Sequence, residues 1–230
     1  MFPILERTEA YSYLCCPAAL LKIILATSQL SVSVLHTTDE ALHAEATSTA
    51  LGLLNQALAL DTGAWAASLH RQQQEQSSGG GNVNLDAADA DAEAAHREHV
   101  ASAHRSAACL YILQAVPSTR ALGPISSDDL VTDILAHLER VGERDAHFKA
   151  TSWPTFVAGA ETRDPETRTW LLGRLLAVWR VCPWGYIFTA VGMLKKMWEL
   201  RDARDEEGSD RGRVSGLREL WAMHLDCLVI

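Results

Sequence analysis

Residues 152–161 read SWPTFVAGAE, and this stretch gives the strongest indication of the fold. Two bulky rings and a proline run directly into a row of small residues. A helix over this stretch places Trp153, Phe156 and Val157 on one face, while Gly159 lets a neighbouring helix approach closely. The pattern therefore predicts a central helix that is enclosed on several sides. A ligand cavity beside the small residues is the alternative interpretation of the same pattern.

The remainder of the sequence is also helical in pattern. Apolar residues recur at helical spacing, and no alternating strand pattern of useful length appears. Asp164 and Pro165 form a strong helix start, because aspartate caps helices and proline fits the first turn. Six of the seven tryptophans lie between residues 153 and 221. The sequence predicts an all-α fold, an irregular multi-helix array whose tryptophan-rich C-terminal half is the better specified core.

A chain of 230 residues can form one domain with a substantial core. We expect a single helical domain over residues 1–230, with N-terminal helices over 13–70, a flexible insertion over 71–84 and the main helical core over 85–230. The insertion is predicted from its low-complexity sequence, RQQQEQSSGGGNVN.

Two details of the core are predicted from charge and capping residues. A long helix should run from about Leu85 to Val116, where Pro117 stops it, with an acidic, solvated first half. A charged loop is expected over 202–213, followed by a last helix from about Ser215.

Composition excludes several classes of function. The net charge is −9, and no basic run is present, which argues against direct nucleic-acid binding by these residues. The five cysteines fit no zinc template and indicate buried free thiols. The most apolar early run, residues 13–26, is too short to span a bilayer, so no membrane association is expected.

No group of polar residues forms a convincing catalytic or metal site. His96, His99 and His104 lie near Glu93 at helical spacing, but their acidic, polar surroundings favour a solvated helix face over a zinc site. Acidic residues around Asp128 are expected in the first turn of a capped helix for dipole reasons. We therefore predict no catalytic, metal-binding or DNA-binding residue in this sequence, and no enzymatic activity.

Residues 151–203 resemble the C-terminal part of the fungal-specific transcription factor domain, the helical regulatory region of Zn2Cys6 binuclear zinc-cluster transcription factors. The similarity is strongest to the branch of acriflavine-sensitivity and arginine-metabolism regulators. An upstream stretch, CCPAALLKIILATSQLS, is similar to another helix of the same domain. The residues that carry the resemblance, and that we expect to form a family-like core and a ligand cavity, are Trp153, Pro154, Phe156, Gly159, Asp164, Pro165, Trp179, Pro183, Trp184, Gly185 and Trp198.

The resemblance implies a nuclear regulatory module that influences transcription by RNA polymerase II. Its implied partners are proteins of the transcription machinery or a full-length family member, together with a small-molecule effector. The family's six-cysteine zinc cluster has no counterpart here, so we expect a truncated or stand-alone member with no cofactor of its own. Zinc would belong only to a missing N-terminal cluster, and DNA contact only to a missing segment or a partner.

Two other classes of function remain open at this point. One is a small helical enzyme of secondary metabolism, against which the almost wholly apolar or aromatic interior-facing residues weigh. The other is a generic helical scaffold, which an internal repeat would support, and no repeat is found.

Overall fold

The computed structural model describes residue 9 and residues 12–35, 38–77 and 87–206. Within these residues the chain forms eight α-helices and no strand, which confirms the all-α prediction. The helices are α1 (Ala18–Leu35), α2 (Glu40–Leu58), α3 (Thr62–Ser77), α4 (Ala87–Ala115), α5 (Ser127–Glu139), α6 (Ser152–Glu161), α7 (Pro165–Val181) and α8 (Tyr186–Glu206). Two short 3-10 segments, Pro117–Ala121 and Phe148–Thr151, precede α5 and α6.

Helices α5 and α7 begin where capping residues predict. The Asp164 carboxylate accepts a hydrogen bond from the Thr167 backbone N–H at 2.7 Å, and Pro165 is the first residue of α7. The Ser126 hydroxyl accepts from the Asp129 backbone N–H at 3.1 Å, which caps α5. Each bond satisfies a backbone donor that the first helical turn leaves without a partner.

Helix α4 is the central element of the described chain. It packs against α1, α2, α3, α5 and α6. Its second half is buried on several sides, and Ala107, Leu110 and Leu113 have no exposed surface. Alanines alternate with larger residues there, so several neighbours reach the helix closely without leaving voids.

Helix α6 is enclosed as the sequence predicts. All ten of its residues are buried. A Cβ atom added at Gly159 would lie 2.9 Å from Leu194 Cδ1 of α8, closer than ordinary carbon–carbon contact. Gly159 therefore permits the close packing of α6 and α8, and the interdigitation of large and small residues is confirmed.

Two predicted loop boundaries are wrong. Residues 71–77 are the last turns of α3, and residues 202–206 are the end of α8. Residues 71–77 are rich in glutamine, and residues 202–206 include alanine, arginine and glutamate. These are good helix formers, so both helices continue through a polar stretch. Residues 78–86 and 207–230, including the predicted helix from Ser215, lie outside the described residues.

The prediction of buried free thiols is confirmed for three of the five cysteines, and Cys227 lies outside the described residues. Cys15, Cys16 and Cys109 are buried free thiols, and Cys182 is half-buried and free at the C-terminal end of α7. In the part of the chain that the structure describes, no helix combines the length and apolar character needed to cross a membrane.

Candidate functional site

A cavity of about 310 Å³ lies at the N-terminal end of α6. It is bounded by the segment before α1, by α1 and α4, by the 3-10 segment before α6, and by the joint between α7 and α8. The lining residues are Tyr13, Leu14, Cys16, Leu21, Ile24, His104, Lys149, Ala150, Ser152, Trp153, Trp184, Gly185 and Tyr186. The cavity thus joins residues from both halves of the chain.

Aromatic rings dominate the wall of this cavity. The Trp184 ring contacts the Tyr13 and Tyr186 rings, with 5.7 Å between ring centroids in each pair. The Trp184 and Tyr186 rings are stacked. Trp153 stacks on the His104 ring at 5.8 Å between centroids. These contacts hold the rings in fixed orientations, because paired aromatic rings prefer such offset and tilted arrangements.

A few polar groups are placed among the rings. The hydroxyls of Ser152 and Tyr186 share a hydrogen bond of 2.9 Å. The Lys149 ammonium lies 5.3 Å from the centre of the Tyr13 ring. Lys149 is the only charged side chain of the lining, and no carboxylate from the described residues joins it. An apolar wall with a few fixed polar groups is typical of a small-molecule site.

His104 was predicted to lie on a solvated helix face, and this prediction is wrong. Its side chain is only 3% exposed, since it points from α4 toward Trp153. Its Nδ1 lies 2.9 Å from the Val100 carbonyl oxygen. Because a carbonyl only accepts, Nδ1 carries the proton and Nε2 is left as an acceptor. Burial lowers the pKa of His104 to about 4, so the ring is neutral at physiological pH.

The other two histidines of the pattern are only partly exposed. His96 Nδ1 contacts the Asp145 carboxylate. His99 Nδ1 lies 3.0 Å from His137 Nδ1 on α5, and burial lowers the pKa of both rings. The prediction of a solvated face fails because this part of α4 packs on α5 and on the loop after it.

The position of the cavity differs from the sequence-based expectation. A cavity was expected beside the small residues 157–160, but Leu194 fills that space against Gly159. The cavity lies instead at the opposite end of α6. Of the eleven predicted residues, Trp153, Trp184 and Gly185 line it.

The remaining predicted residues lie elsewhere in the fold. Pro154, Phe156 and Trp198 are buried core residues. Asp164 and Pro165 start α7 at the surface. Trp179 contacts Phe188 at 4.9 Å between ring centroids, and Pro183 is exposed in the α7–α8 joint.

A polar cluster surrounds the C-terminal end of α6, where the sequence predicted an apolar interior. Arg120 donates to both carboxylate oxygens of Glu161, at 2.7 and 2.9 Å. Gln114 also donates to Glu161, at 3.2 Å. Trp198 Nε1 donates to the Gly159 carbonyl at 2.9 Å, and Arg201 donates to the Ala160 carbonyl at 2.6 Å. These bonds satisfy carbonyls at the helix end and tie α6 to α4 and α8.

Other polar contacts near the cavity do not form a metal site. Cys15 Sγ lies 3.0 Å from His147 Nδ1, and burial raises the pKa of this thiol to about 12. The thiol therefore stays protonated and shares a hydrogen bond with the imidazole. Across the described residues, no group of three or more histidine, cysteine, aspartate or glutamate side chains is arranged to hold a metal ion.

Comparison with known proteins identifies the class of the chain. The family described as the fungal-specific transcription factor domain matches residues 3–226. The chain therefore belongs to this family, as the resemblance of residues 151–203 implied. No solved structure matches the chain.

A particular relative is the acriflavine sensitivity control protein acr-2 of Neurospora crassa. It is 39% identical to the chain over 233 aligned positions, which cover 99% of this chain and 36% of the relative. The chain thus spans about a third of the length of this curated relative.

Proposed function

We propose that this chain is the regulatory domain of a fungal zinc-cluster transcription factor and controls transcription by RNA polymerase II from the nucleus. The observation that carries the proposal is the family match over nearly the whole chain, together with 39% identity to a control protein. The domain acts by binding protein partners or a small-molecule effector rather than by catalysis.

The proposal assigns zinc and DNA binding to residues outside this chain or to a partner protein. A net charge of −9 suits protein contact better than phosphate contact. The alignment with a much longer relative leaves ample length for a separate DNA-reading segment. Full-length family members and components of the transcription machinery are the proposed partners.

The packing of α6 suggests how the domain responds to an effector. One end of α6 borders the cavity, and the other end is held by Arg120, Trp198 and Arg201. A ligand that favours one arrangement of this helix shifts the population of the whole domain toward it.

The test is to fuse the chain to an unrelated DNA-binding domain in a filamentous fungus and measure a reporter placed behind that domain's site. We expect reporter transcript to change several-fold, up or down, relative to the DNA-binding domain alone. A fluorescent tag on the complete native gene product should report nuclear accumulation.

A matched pair of variants controls for folding. Arg120→Met breaks a buried ion pair, whereas Arg180→Met breaks an ion pair whose arginine side chain is 61% exposed. The first substitution should abolish the reporter change and the second should leave it intact. An unchanged reporter with a folded, expressed fusion would contradict the proposal.

A further inference from the structure

We propose that the cavity binds a planar aromatic molecule that carries both a hydrogen-bond donor and a carboxylate. This inference specifies the small-molecule effector of the proposed function and rests on it for its biological meaning. Binding itself is measured on the isolated chain, so it can succeed or fail independently of transcription.

The wall of the cavity selects a flat aromatic ligand. In the wall of the cavity the Trp184 ring contacts both the Tyr13 ring and the Tyr186 ring, and Trp153 forms another part of the wall. These rings are held by their mutual contacts, so a flat ligand stacks without the cost of ordering them. A volume of about 310 Å³ is at the lower end of known ligand cavities and suits a bicyclic molecule.

The charge at the cavity favours an anion over a cation. Aromatic rings alone would suit an organic cation, because their faces are electronegative. Here the Lys149 ammonium already lies over the Tyr13 ring, and no carboxylate of the described residues lines the cavity to offset it. A cationic ligand would meet a like charge, whereas a carboxylate would gain a charge-assisted hydrogen bond from Lys149.

His104 requires a donor on the ligand. Its Nδ1 proton is used by the Val100 carbonyl, which leaves Nε2 as an acceptor on a ring that lines the cavity. The His104 side chain is nearly fully buried. A ligand N–H or O–H can donate to this acceptor, whereas a ligand that covers Nε2 without a donor leaves it without a partner.

Such a ligand would connect distant parts of the chain. Tyr13 precedes α1, His104 lies on α4, and Trp184 belongs to the α7–α8 joint. Stacking between these residues would join the N-terminal helices to the C-terminal ones. Occupation of the cavity should therefore stabilise the whole fold by binding to the folded chain only.

Four small probes of nearly equal shape test separately whether the ligand needs a carboxylate and whether it needs a hydrogen-bond donor. Indole-3-acetate has a ring N–H and a carboxylate, and indole-3-acetamide keeps the N–H without the charge. Tryptamine replaces the anion by an ammonium, and 1-methylindole-3-acetate keeps the carboxylate but lacks the N–H. Isothermal titration of the purified chain with each probe gives four affinities.

We expect indole-3-acetate to bind with a Kd on the order of 0.1 mM, as suits a ligand of this size. The acetamide and the N-methyl compound should each bind about ten-fold more weakly, through loss of one polar contact. Tryptamine should show no binding. Tighter binding of tryptamine than of indole-3-acetate would overturn the proposal, as would the absence of binding by all four probes to the folded chain at millimolar concentration.

Two substitutions assign the contacts. Lys149→Gln should make the acetate and acetamide bind equally, whereas Lys195→Gln, on the exposed side of α8, should leave their ratio unchanged. His104→Phe preserves a flat ring against Trp153 and should make the N–H and N-methyl probes bind equally. Unchanged ratios in both variants would contradict the assignment, even if the probes bind.

The outcomes distinguish this inference from the proposed function. If the tethered chain alters reporter transcription but binds none of the probes, the proposed regulatory function stands and the proposed ligand class is refuted. If the chain binds indole-3-acetate but does not alter transcription, the proposed ligand class stands and the proposed regulatory function is refuted.

Discussion

The substitution Gly159→Ala tests the close contact between α6 and α8. The added Cβ would lie 2.9 Å from Leu194 Cδ1 and 3.1 Å from Leu194 Cδ2. The first of these distances is about 0.6 Å shorter than the lower limit of optimal carbon–carbon contact. Leu194 is fully buried, so it has little room to move away.

Two effects of opposite sign decide the result. Alanine in a helix is more stable than glycine by about 1 kcal/mol. Overpacking of a filled core costs about 1–3 kcal/mol. We therefore expect Gly159→Ala to lower the free energy of unfolding by about 0–2 kcal/mol.

Gly173→Ala provides the matched control for the helix-propensity effect. Gly173 lies within α7, and a Cβ added there would meet no atom within 4 Å. This control should raise the free energy of unfolding by about 1 kcal/mol. Because helix propensity cancels between the two variants, their difference of about 1–3 kcal/mol measures the steric cost at Leu194 alone.

Urea unfolding followed by circular dichroism measures both variants, and Leu194→Ala in the Gly159→Ala background completes a mutant cycle. The double variant should be less destabilised than the sum of the single ones, because the smaller side chain removes the clash. If Gly159→Ala stabilises the protein as much as Gly173→Ala does, the described packing of α6 on α8 is refuted.

Three further predictions concern pH, ion pairs and thiols. The pKa of His104 is about 4 in the folded chain against an ordinary 6.5, so the unfolded chain takes up a proton first as the pH falls. Urea unfolding should therefore show the free energy of unfolding decreasing from pH 6.5 to pH 4, by up to about 1.4 kcal/mol per pH unit. The substitution His104→Gln should remove that pH dependence. Arg120→Met should lower the free energy of unfolding in urea by about 3–5 kcal/mol, since it removes the positive charge that pairs with the buried Glu161 carboxylate. Arg180→Met should change the free energy of unfolding by less than about 1 kcal/mol, because its ion pair is exposed; equal effects would contradict the assigned burial. Iodoacetamide should modify Cys182 before Cys109 in the folded protein, as followed by mass spectrometry, because Cys109 is fully buried and burial raises its pKa to about 12. The reverse order of modification would contradict the packing of α4.

Local sequence signals predicted most of the helical framework. Asp164 and Pro165 defined the start of α7, and Pro117 defined the end of α4, because capping and proline effects act within a few residues. The enclosure of α6 was also predictable, since rings and small residues alternate around it. The failures at residues 71–77 and 202–206 arose because polar helix formers lack the apolar spacing that marks a packed helix.

The site depended on contacts that no local pattern reveals. Glu161 and its partner Arg120 are 41 residues apart, and Tyr13 meets Trp184 across most of the chain. His104 was assigned to the solvated face because it was grouped with His96 and His99 of the acidic half of α4, whereas it lies in the buried second half of that helix. The alanines that follow His104 were the available signal that α4 becomes a core helix there.

Transcript sequencing after an in-frame deletion tests most directly whether this domain controls transcription. The deletion removes the codons for residues 3–226 from the native fungal gene and leaves the rest of the gene intact, with Gly173→Ala in the same gene as the matched control. We expect a defined set of transcripts to change in the deletion strain and to remain at wild-type levels in the control strain. An unchanged transcript profile in the deletion strain would contradict the assignment of regulatory function to this chain.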